Sequence, residues 1–185
     1  MRRIPWYWGG SFAGTELVRR LTETLPTGYK VVWIEKHSHF NYIFNFPQYS
    51  VLKGHEQRAF IPYDFIAKGA PLGILTRIQE EAIAMTDSQV LLASGERIDY
   101  ACLAIATGTT QPLPANLSCN KRSEACPKLQ SAQQTIETSP KIAVVGGGAV
   151  GVQLAGDIKD FFSHLGMWPI IPVREWGVRV GHKRV

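Results

Sequence analysis

The chain has 185 residues, of which 45% are hydrophobic and 19% are charged, a composition that fits a folded globular protein and excludes a disordered one. No apolar run approaches the roughly 20 residues that a membrane-spanning helix needs, so we predict no transmembrane segment. The net charge is +5, and +3 of it lies in the last dozen residues. Short basic tails are usually solvated, so this charge does not predict a nucleic-acid partner. The amino terminus lacks the apolar core of a secretory signal, which favours an intracellular protein.

The cysteines and histidines form no redox or metal motif. Cys102, Cys119 and Cys126 make no C-x-x-C pair and join no histidine at metal-ligand spacing. Cys102 lies in an apolar run and is predicted to be buried, whereas the other two flank a charged segment and are open to exposure. The histidines lack the regular spacing of metal ligands, so we predict no metal site and treat them as non-ligands: His37, His39 and His55.

The first predicted strand, residues 3–8, runs into the glycine-rich turn Gly9-Gly10-Ser11-Phe12-Ala13-Gly14. Gly9, Ser11 and Gly14 fall on the G-x-G-x-x-G spacing of dinucleotide-binding turns, with serine in place of the middle glycine. Serine is small, so a phosphate can still approach the backbone, though less freely than at glycine. Apolar residues at helical spacing then predict a helix that ends near residue 26: Ala13, Leu17, Leu21 and Leu25.

A second predicted strand, residues 29–34, ends at Glu35, which follows Gly14 by 21 residues. Dinucleotide folds place an acid that binds a ribose hydroxyl roughly 20 residues after the glycine turn. A surface glutamate that simply follows a strand is the alternative. The glycine-rich turn upstream favours the ribose-binding interpretation.

Residues 37–64 are aromatic and irregular. Their rings either line a site for a flat ligand or pack as core, and packing is favoured because aromatic residues dominate protein cores. The rings concerned are those of Phe40, Tyr42, Phe44, Phe46, Tyr49, Phe60 and Tyr63.

Four short strand-like runs follow, residues 74–79, 82–86, 89–92 and 97–99, and together they resemble a small antiparallel meander. The meander leads into residues 100–108, which predict a buried strand of parallel type. This strand ends in Ala106-Thr107-Gly108. Small residues there would let backbone and a hydroxyl reach a ligand at the carboxyl edge of the sheet.

A second glycine-rich turn follows a linker that contains one short helix, predicted at residues 129–136. The apolar run 141–145 leads into Gly146, Gly148 and Gly151, again on the G-x-G-x-x-G spacing. The first glycine permits a tight turn, the second lets a pyrophosphate approach, and the third lets the helix pack on the strand. The helix is predicted to reach about residue 164. Residues 165–185 are an atypical basic tail, because Pro169 and Pro172 interrupt the expected next strand.

The chain resembles a pyridine-nucleotide flavoprotein. The features that carry this resemblance are the two glycine-rich turns, Glu35, the meander and Ala106-Thr107-Gly108. The resemblance covers roughly residues 9–163 and is closest to fungal members of the AIF-like branch, the AMID or ferroptosis-suppressor type of NAD(P)H oxidoreductase. This branch belongs to the pyridine nucleotide-disulfide oxidoreductase superfamily. Three further motifs support the resemblance: Ile34-Glu35-Lys36, Ser38-His39-Phe40-Asn41-Tyr42 and Phe60-Ile61-Pro62-Tyr63-Asp64.

The resemblance implies an α/β fold with two Rossmann-like dinucleotide-binding units, of the three-layer ββα type, and a small antiparallel meander. Residues 1–112 would form the amino-terminal part of an FAD-binding domain, and 113–140 a linker with a short helix. Residues 141–164 would begin an NAD(P)H-binding domain, and 165–185 would be the tail. Members of the family are longer, so we expect a chain that is truncated at its carboxyl terminus, with an incomplete FAD fold.

The resemblance also implies the site residues and the reaction. FAD would contact both the first turn and the residues after three strands. Gly10, Ser11, Phe12, Ala13 and Gly14 would meet the FAD pyrophosphate, and Glu35 would bind the adenosine ribose. The backbone of Ala82 and Ile83 would face the adenine, and Thr107 and Gly108 would lie near the pyrophosphate. Gly9 and Lys36 are implied as further cofactor contacts. NAD(P)H would contact Gly146, Gly148, Ala149, Val150 and Gly151.

No catalytic side chain is implied, because the cofactors carry the chemistry. A hydride would pass from NAD(P)H to flavin, and electrons would pass on to a quinone or oxygen. The lack of a cysteine pair fits such a direct acceptor and argues against the disulfide reductases. A cytoplasmic or mitochondrion-associated protein is expected. The alternative is a non-catalytic, truncated nucleotide-binding remnant or an interaction module without turnover.

Overall fold

The computed structural model describes residues 6–68, 70–109, 111, 113–117, 119–162, 166–167 and 179–181. The chain forms two compact units: unit 1 contains residues 1–40 and 62–109, and unit 2 contains residues 41–61 and 110–185. None of the helices in the described part of the chain is long and apolar enough to cross a membrane.

The described chain mixes strands and helices, with 3₁₀ turns at Ile43–Asn45 and Glu56–Ala59. The strands are β1 (Trp6–Trp8), β2 (Val31–Ile34), β3 (His39–Asn41), β4 (Phe60–Pro62), β5 (Leu75–Ile78), β6 (Ala82–Met85), β7 (Gln89–Leu92), β8 (Arg97–Asp99), β9 (Leu103–Ile105), β10 (Lys141–Val145), β11 (Gly166–Met167) and β12 (Arg179–Gly181). The helices are α1 (Phe12–Thr24), α2 (Phe46–Tyr49), α3 (Asp64–Ala67), α4 (Arg122–Thr138) and α5 (Ala149–Phe161).

Unit 1 is built on a four-stranded parallel sheet with the order β5-β2-β1-β9. The β-branched and aromatic run of β2 is almost wholly buried, as expected for an inner strand of a parallel sheet. Trp8 lies opposite Ile34 on one side and Ile105 on the other. The residues that follow these three strands therefore meet at the carboxyl edge of the sheet, where open α/β folds bind ligands.

The meander of unit 1 contains three strands, not four. Strands β6, β7 and β8 pair antiparallel, and Val90, Leu92 and Ile98 form a small core with Ile34. The prediction that residues 74–79 belong to the meander is wrong, because β5 pairs in parallel with β2. Turn residues between neighbouring runs indicate hairpins, but they carry no information about a parallel partner some 40 residues away.

The predicted burial of residues 100–108 is also wrong. Strand β9 is the last strand in the sheet order, and Ile105 is 51% exposed. Cys102 is exposed, although it was predicted to be core. The other two cysteines are half-buried against the unit 2 core, and burial raises the pKa of the Cys119 and Cys126 thiols. An apolar run therefore predicts a strand, but it does not predict on which edge the strand lies.

Unit 2 contains a long helix where the sequence predicted a short one. Helix α4 begins at Arg122 rather than at residue 129 and buries Ala125, Leu129, Gln133 and Ile136 on one face. Pro127 lies inside this helix. Proline lacks an amide donor and usually marks a helix boundary, which is why the sequence predicted a later start.

Two apolar clusters form the core of unit 2. Phe46, Tyr49 and Phe60 pack with Leu129 in the first, which confirms the packing interpretation for these three rings. The second joins β10 and α5 through Ile142, Val144, Leu154, Ala155 and Ile158.

The described tail of unit 2 consists of two short strands on either side of β10. Strand β11 pairs with β10 in parallel, and β12 pairs with it antiparallel. Pro169 and Pro172, on which the prediction of an atypical tail rested, lie outside the described residues. Helix α5 ends at Phe161, slightly before the predicted end near residue 164.

Candidate functional site

The first glycine-rich turn is closely surrounded by protein atoms. Gly9 has a φ of +116°, and a Cβ added there would overlap the Ala106 carbonyl group. A Cβ added at Gly10 would overlap the Tyr63 hydroxyl and the Glu35 carboxylate. Glycine is therefore required at both positions, at Gly9 by the backbone conformation as well as by space.

Ser11 has a structural role that the sequence did not reveal. Its hydroxyl accepts a hydrogen bond from the Gly14 amide at 3.3 Å, which caps the N-terminus of α1. The same hydroxyl donates to the Ala106 carbonyl at 2.9 Å. Serine in place of the middle glycine therefore fixes the helix start and links the turn to the end of β9.

The structure brings Glu35 directly to the first turn. Glu35 is 3% exposed, and its Oε2 accepts a hydrogen bond from the Gly10 amide. Its Oε1 accepts from the His37 amide at 2.7 Å and contacts His37 Nδ1. The predicted ribose acid and the predicted pyrophosphate turn thus lie side by side at the carboxyl edge of the sheet.

A cation–aromatic stack supports the loop that follows Glu35. One terminal nitrogen of Arg77 donates to the carbonyls of His37 and Ser38, at 3.0 Å and 3.3 Å. The Arg77 guanidinium lies 4.6 Å from the Tyr63 ring centroid and 5.9 Å from that of Trp33. Sequence reasoning missed these residues as part of the site. His37 stands two residues after Glu35, a signal that was available. Tyr63 belongs to a motif of the family resemblance and to the aromatic rings weighed above, but no spacing ties Tyr63 or Arg77 to the turn.

The remaining predicted residues of the first turn are at the start of α1. The Phe12 ring packs edge-on against Phe40, with 4.9 Å between ring centroids, and Ala13 is exposed. The first turn of α1 carries no acidic side chain. The helix itself therefore adds no negative charge at the positive end of its dipole, and the one carboxylate described beside this end is that of Glu35.

Lys36 points to another partner. Its ammonium group lies 3.2 Å from the Glu81 carboxylate, and both side chains are exposed. An exposed pair of this kind contributes little to stability. The described contact links Lys36 to the start of the meander rather than to the glycine turn.

The predicted adenine contacts lie on an irregular strand. Ala82 pairs with Leu92 and Ala84 pairs with Leu91, so Ile83 is a bulge residue without a partner in the register. A bulge takes its residue out of the hydrogen-bond ladder. The Ile83 side chain is 58% exposed. The geometry is consistent with backbone groups that are available to a ligand at this position.

Thr107 and Gly108 complete the same edge of unit 1. Both are exposed, and Gly108 has a φ of +75°. A Cβ added at Gly108 would lie 3.6 Å from the Ser11 Cβ, in ordinary contact. The end of β9 therefore passes directly beside the first turn, and the predicted contact of Thr107 and Gly108 with a ligand stays a prediction.

The second glycine-rich turn, in unit 2, is open. Gly146 has a φ of +117°, and among the described residues no atom lies within 4 Å of a Cβ added at Gly147 or Gly148. Gly148 is the N-cap of α5, whose first turn also carries no acidic side chain. Gly151 is buried, as expected for the glycine that packs helix on strand. Ala149 and Val150 form the first turn of α5.

Among the residues that the structure describes, no group of three or more His, Cys, Asp or Glu side chains could hold a metal ion.

Known proteins resemble this chain in sequence. Residues 9–169 match the family described as pyridine nucleotide-disulphide oxidoreductase. Fe-regulated protein 8 from Mycosarcoma maydis is 32% identical over 174 residues, which cover 81% of this chain and 43% of that protein. Ferroptosis suppressor protein 1 from Mus musculus is 30% identical over 159 residues, 82% of this chain and 39% of that protein. Apoptosis-inducing factor homolog B from Dictyostelium discoideum is 26% identical over 154 residues, 82% of this chain and 38% of that protein.

These matches confirm the AIF-like, ferroptosis-suppressor type resemblance that the motifs predicted. The chain spans about two fifths of the length of the curated relatives it matches.

Solved structures share the fold. The sulfide:quinone oxidoreductase from Aquifex aeolicus superposes with a TM-score of 0.66 at 19% identity, covering 90% of this chain and 42% of that one. NADH:rubredoxin oxidoreductase from Clostridium acetobutylicum superposes with a TM-score of 0.57 at 18% identity, covering 87% and 42%. At these identities the likeness shows the fold alone, and it confirms the predicted α/β class with Rossmann-type dinucleotide-binding units.

Proposed function

We propose a function for this chain on the ground that it belongs to the pyridine nucleotide-disulphide oxidoreductase family, which it matches over residues 9–169. The proposed activity is an FAD-dependent oxidoreductase that moves a hydride from NAD(P)H to flavin and electrons on to a quinone or oxygen. Because the chain covers only about two fifths of its curated relatives, the activity of those whole proteins is part of the proposal.

One observation carries the proposal: the buried Glu35 carboxylate lies beside the Gly10 amide, next to the N-terminus of α1. A carboxylate at this edge suits a ribose hydroxyl, and the helix N-terminus suits a pyrophosphate. The space around Gly9 and Gly10 is already filled by Ala106, Tyr63 and Glu35, so the backbone has no room for a larger residue. These residues fit the adenosine diphosphate half of FAD.

The remaining FAD contacts would come from the neighbouring strand ends of unit 1. The bulge at Ile83 would offer backbone groups to the adenine, and Thr107 and Gly108 would lie near the pyrophosphate. Ser11 would hold the turn and the end of β9 together through its two hydrogen bonds. Lys36 is proposed as a peripheral contact only, since its described partner is Glu81.

The open turn of unit 2 is proposed to hold NAD(P)H. Gly147 and Gly148 leave space for a pyrophosphate to approach the backbone, and α5 supplies its N-terminal dipole. Ala149, Val150 and Gly151 follow in the first turn of that helix. A bound anion there would meet no like charge from the start of α5.

The flavin, when bound, supplies the redox chemistry, because it accepts a hydride and can release electrons singly. The residues of this chain bind and orient the cofactors, and none is proposed as a general acid or base. A quinone-type acceptor is proposed from the resemblance to the ferroptosis-suppressor type of NAD(P)H oxidoreductase. The family resemblance supports an intracellular location, in the cytoplasm or at mitochondria.

The test is an absorbance spectrum of the purified chain with FAD, recorded before and after anaerobic addition of NADH. We expect a protein-bound flavin band near roughly 450 nm, a property of the cofactor itself, and its loss on reduction. The isosteric test variant Glu35→Gln should retain less flavin than the parent chain, which serves as its control. A folded chain that binds no FAD would contradict the proposal.

A second candidate function is nucleotide binding without turnover. The described contacts of Glu35 and Ser11 hold the first glycine-rich turn in place, and dinucleotide binding alone would also use them. Bound flavin that NADH does not bleach would support this candidate and would rule out a working hydride path.

A further inference from the structure

The contacts of Glu35 point to a role for its neighbour His37. A carboxylate accepts at about four lone-pair positions. The described contacts bring three donors to Glu35: the Gly10 amide, the His37 amide and His37 Nδ1. Two of these three donors belong to His37. Because Glu35 is 3% exposed, protein donors rather than bulk water orient its carboxylate.

His37 is itself held in place. Arg77 donates to the His37 carbonyl at 3.0 Å and to the Ser38 carbonyl at 3.3 Å. The guanidinium of Arg77 is fixed in turn by the Tyr63 ring at 4.6 Å. The main chain at His37 therefore has little freedom, and its ring approaches Glu35 from a constrained backbone. A side chain on a supported loop can position a neighbouring group accurately.

We propose that His37 is a positioning residue that orients the Glu35 carboxylate, so that its remaining acceptor position faces a ribose hydroxyl of the bound dinucleotide. This inference rests on the proposed function, because it assigns the ribose to Glu35. His37 contacts neither the reacting atoms nor the ribose in this account and acts only through Glu35. Its effect is therefore confined to ligands that carry the hydroxyl.

The test compares two variants of the full chain with two ligands. His37→Leu removes the ring donor, whereas His37→Asn keeps an N–H donor close to the position of Nδ1. The ligands are FAD and the FAD analogue whose adenosine lacks the 2′-hydroxyl, and the readout is the dissociation constant from quenching of flavin fluorescence. The parent chain should prefer FAD over the deoxy analogue by about tenfold, the range of one hydrogen bond to a charged group.

The expected pattern differs from that of a structural defect. His37→Leu should bind both ligands about equally, because FAD loses its advantage while the deoxy analogue is unaffected. His37→Asn should restore most of the preference. A general loosening of the loop would weaken both ligands by the same factor, and that result would overturn the inference. An unchanged preference in His37→Leu would also overturn it.

A double-mutant cycle with Glu35→Gln separates this inference from the proposed function. If His37 acts through Glu35, His37→Leu should cause no further loss of FAD affinity in the Glu35→Gln background. If the two substitutions lowered FAD affinity additively, the inference would be overturned, but the proposed FAD binding of the parent chain would still stand. Absence of FAD binding by the parent chain would instead contradict the proposed function itself.

Discussion

The two glycine-rich turns share one spacing but differ in their surroundings. In unit 1 the turn is filled by protein: Ala106, Tyr63 and Glu35 occupy the space beside Gly9 and Gly10. In unit 2 no described atom lies within 4 Å of a Cβ added at Gly147 or Gly148. The first helix starts at a serine that caps it, and the second starts at a glycine.

This difference shows that equal spacing gives equal reasons for glycine at some positions only. The first glycines, Gly9 and Gly146, share a positive φ of +116° and +117°. At the next position, neighbouring side chains require glycine at Gly10, whereas the space beside Gly147 is open. Gly148 has an extended backbone with φ −75° and ψ 173° that any residue can adopt. Glycine at Gly148 is therefore explained by access to the backbone rather than by conformation.

The largest expected effect tests this contrast directly. Gly10→Ala should lower the free energy of unfolding by about 3 kcal/mol, because the new Cβ overlaps the Tyr63 hydroxyl and the Glu35 carboxylate. Gly147→Ala, the matched control, should change it by less than about 0.5 kcal/mol. Urea denaturation followed by circular dichroism measures both. Equal losses in the two variants would show that the second turn is as tightly packed as the first.

The openness of the second turn should be local and should not reflect a loose unit 2. Gln133 is 2% exposed and donates to the Tyr49 carbonyl at 2.7 Å and to Glu56 Oε1 at 2.8 Å. Gln133→Leu should therefore cost about 2 kcal/mol in urea denaturation, because the buried acceptors lose their donor. The exposed neighbour Gln134 is the control position, and Gln134→Leu should be nearly neutral. A negligible cost for Gln133→Leu would indicate that unit 2 is loosely packed behind its turn.

The hydrogen bond from Gln133 to Glu56 should also make the free energy of unfolding depend on pH. Burial by itself raises the pKa of Glu56. The hydrogen bonds that its carboxylate accepts from Gln133 and from backbone amides, including that of Gly54, outweigh burial and lower the pKa below its usual value. A depressed carboxyl pKa adds stability that is present above the unfolded-state value of about 4.3 and is lost as the pH falls through the lower folded-state value. The parent chain should therefore lose more stability in this acid range than Gln133→Leu.

A smaller effect is expected at the cap of the first helix. Ser11→Ala removes the bond to the Gly14 amide and the bond to the Ala106 carbonyl, and it should cost about 1 kcal/mol in thermal or urea unfolding. Ser11→Thr keeps a hydroxyl and should recover most of that loss. If alanine and threonine behaved alike, the hydroxyl would have no structural role in the turn.

The smallest effect should come from making the second turn more like the first. Gly148 has the backbone conformation of an N-cap, and asparagine is a strong capping residue. Gly148→Asn should therefore stabilise unit 2 by a few tenths of a kcal/mol, detectable as a small rise in the denaturation midpoint. A loss of stability would mean that the space beside Gly148 is not available to a side chain.

The sequence predicted the local units of the fold well, because strand, glycine turn and helix are contiguous. The turn at Gly9 to Gly14, the acid at Glu35 and the turn at Gly146 to Gly151 all lie at the ends of the strands that were expected. The β5 partner was missed because parallel pairing joins distant segments. The start of α4 was missed because Pro127 normally marks a boundary.

The site was less predictable than the fold. Glu35 was found because a fixed distance separates the acid from the turn in dinucleotide folds. Arg77 and Tyr63 were missed because they reach the site from other elements, through a cation–aromatic contact that has no sequence spacing. The second hydrogen bond of Ser11 was missed for the same reason, since Ala106 is 95 residues away.

The most direct test of the central claim, that the two turns serve two different dinucleotides, is a pair of titrations of Gly148→Asp and Gly148→Asn with FAD and with NADH. The two side chains are nearly isosteric, and both can cap α5, but only aspartate places a negative charge where a pyrophosphate would bind. We predict that Gly148→Asp binds NADH at least about tenfold more weakly than Gly148→Asn, while their FAD affinities stay equal. Equal NADH affinities, or a parallel loss of FAD, would contradict the account.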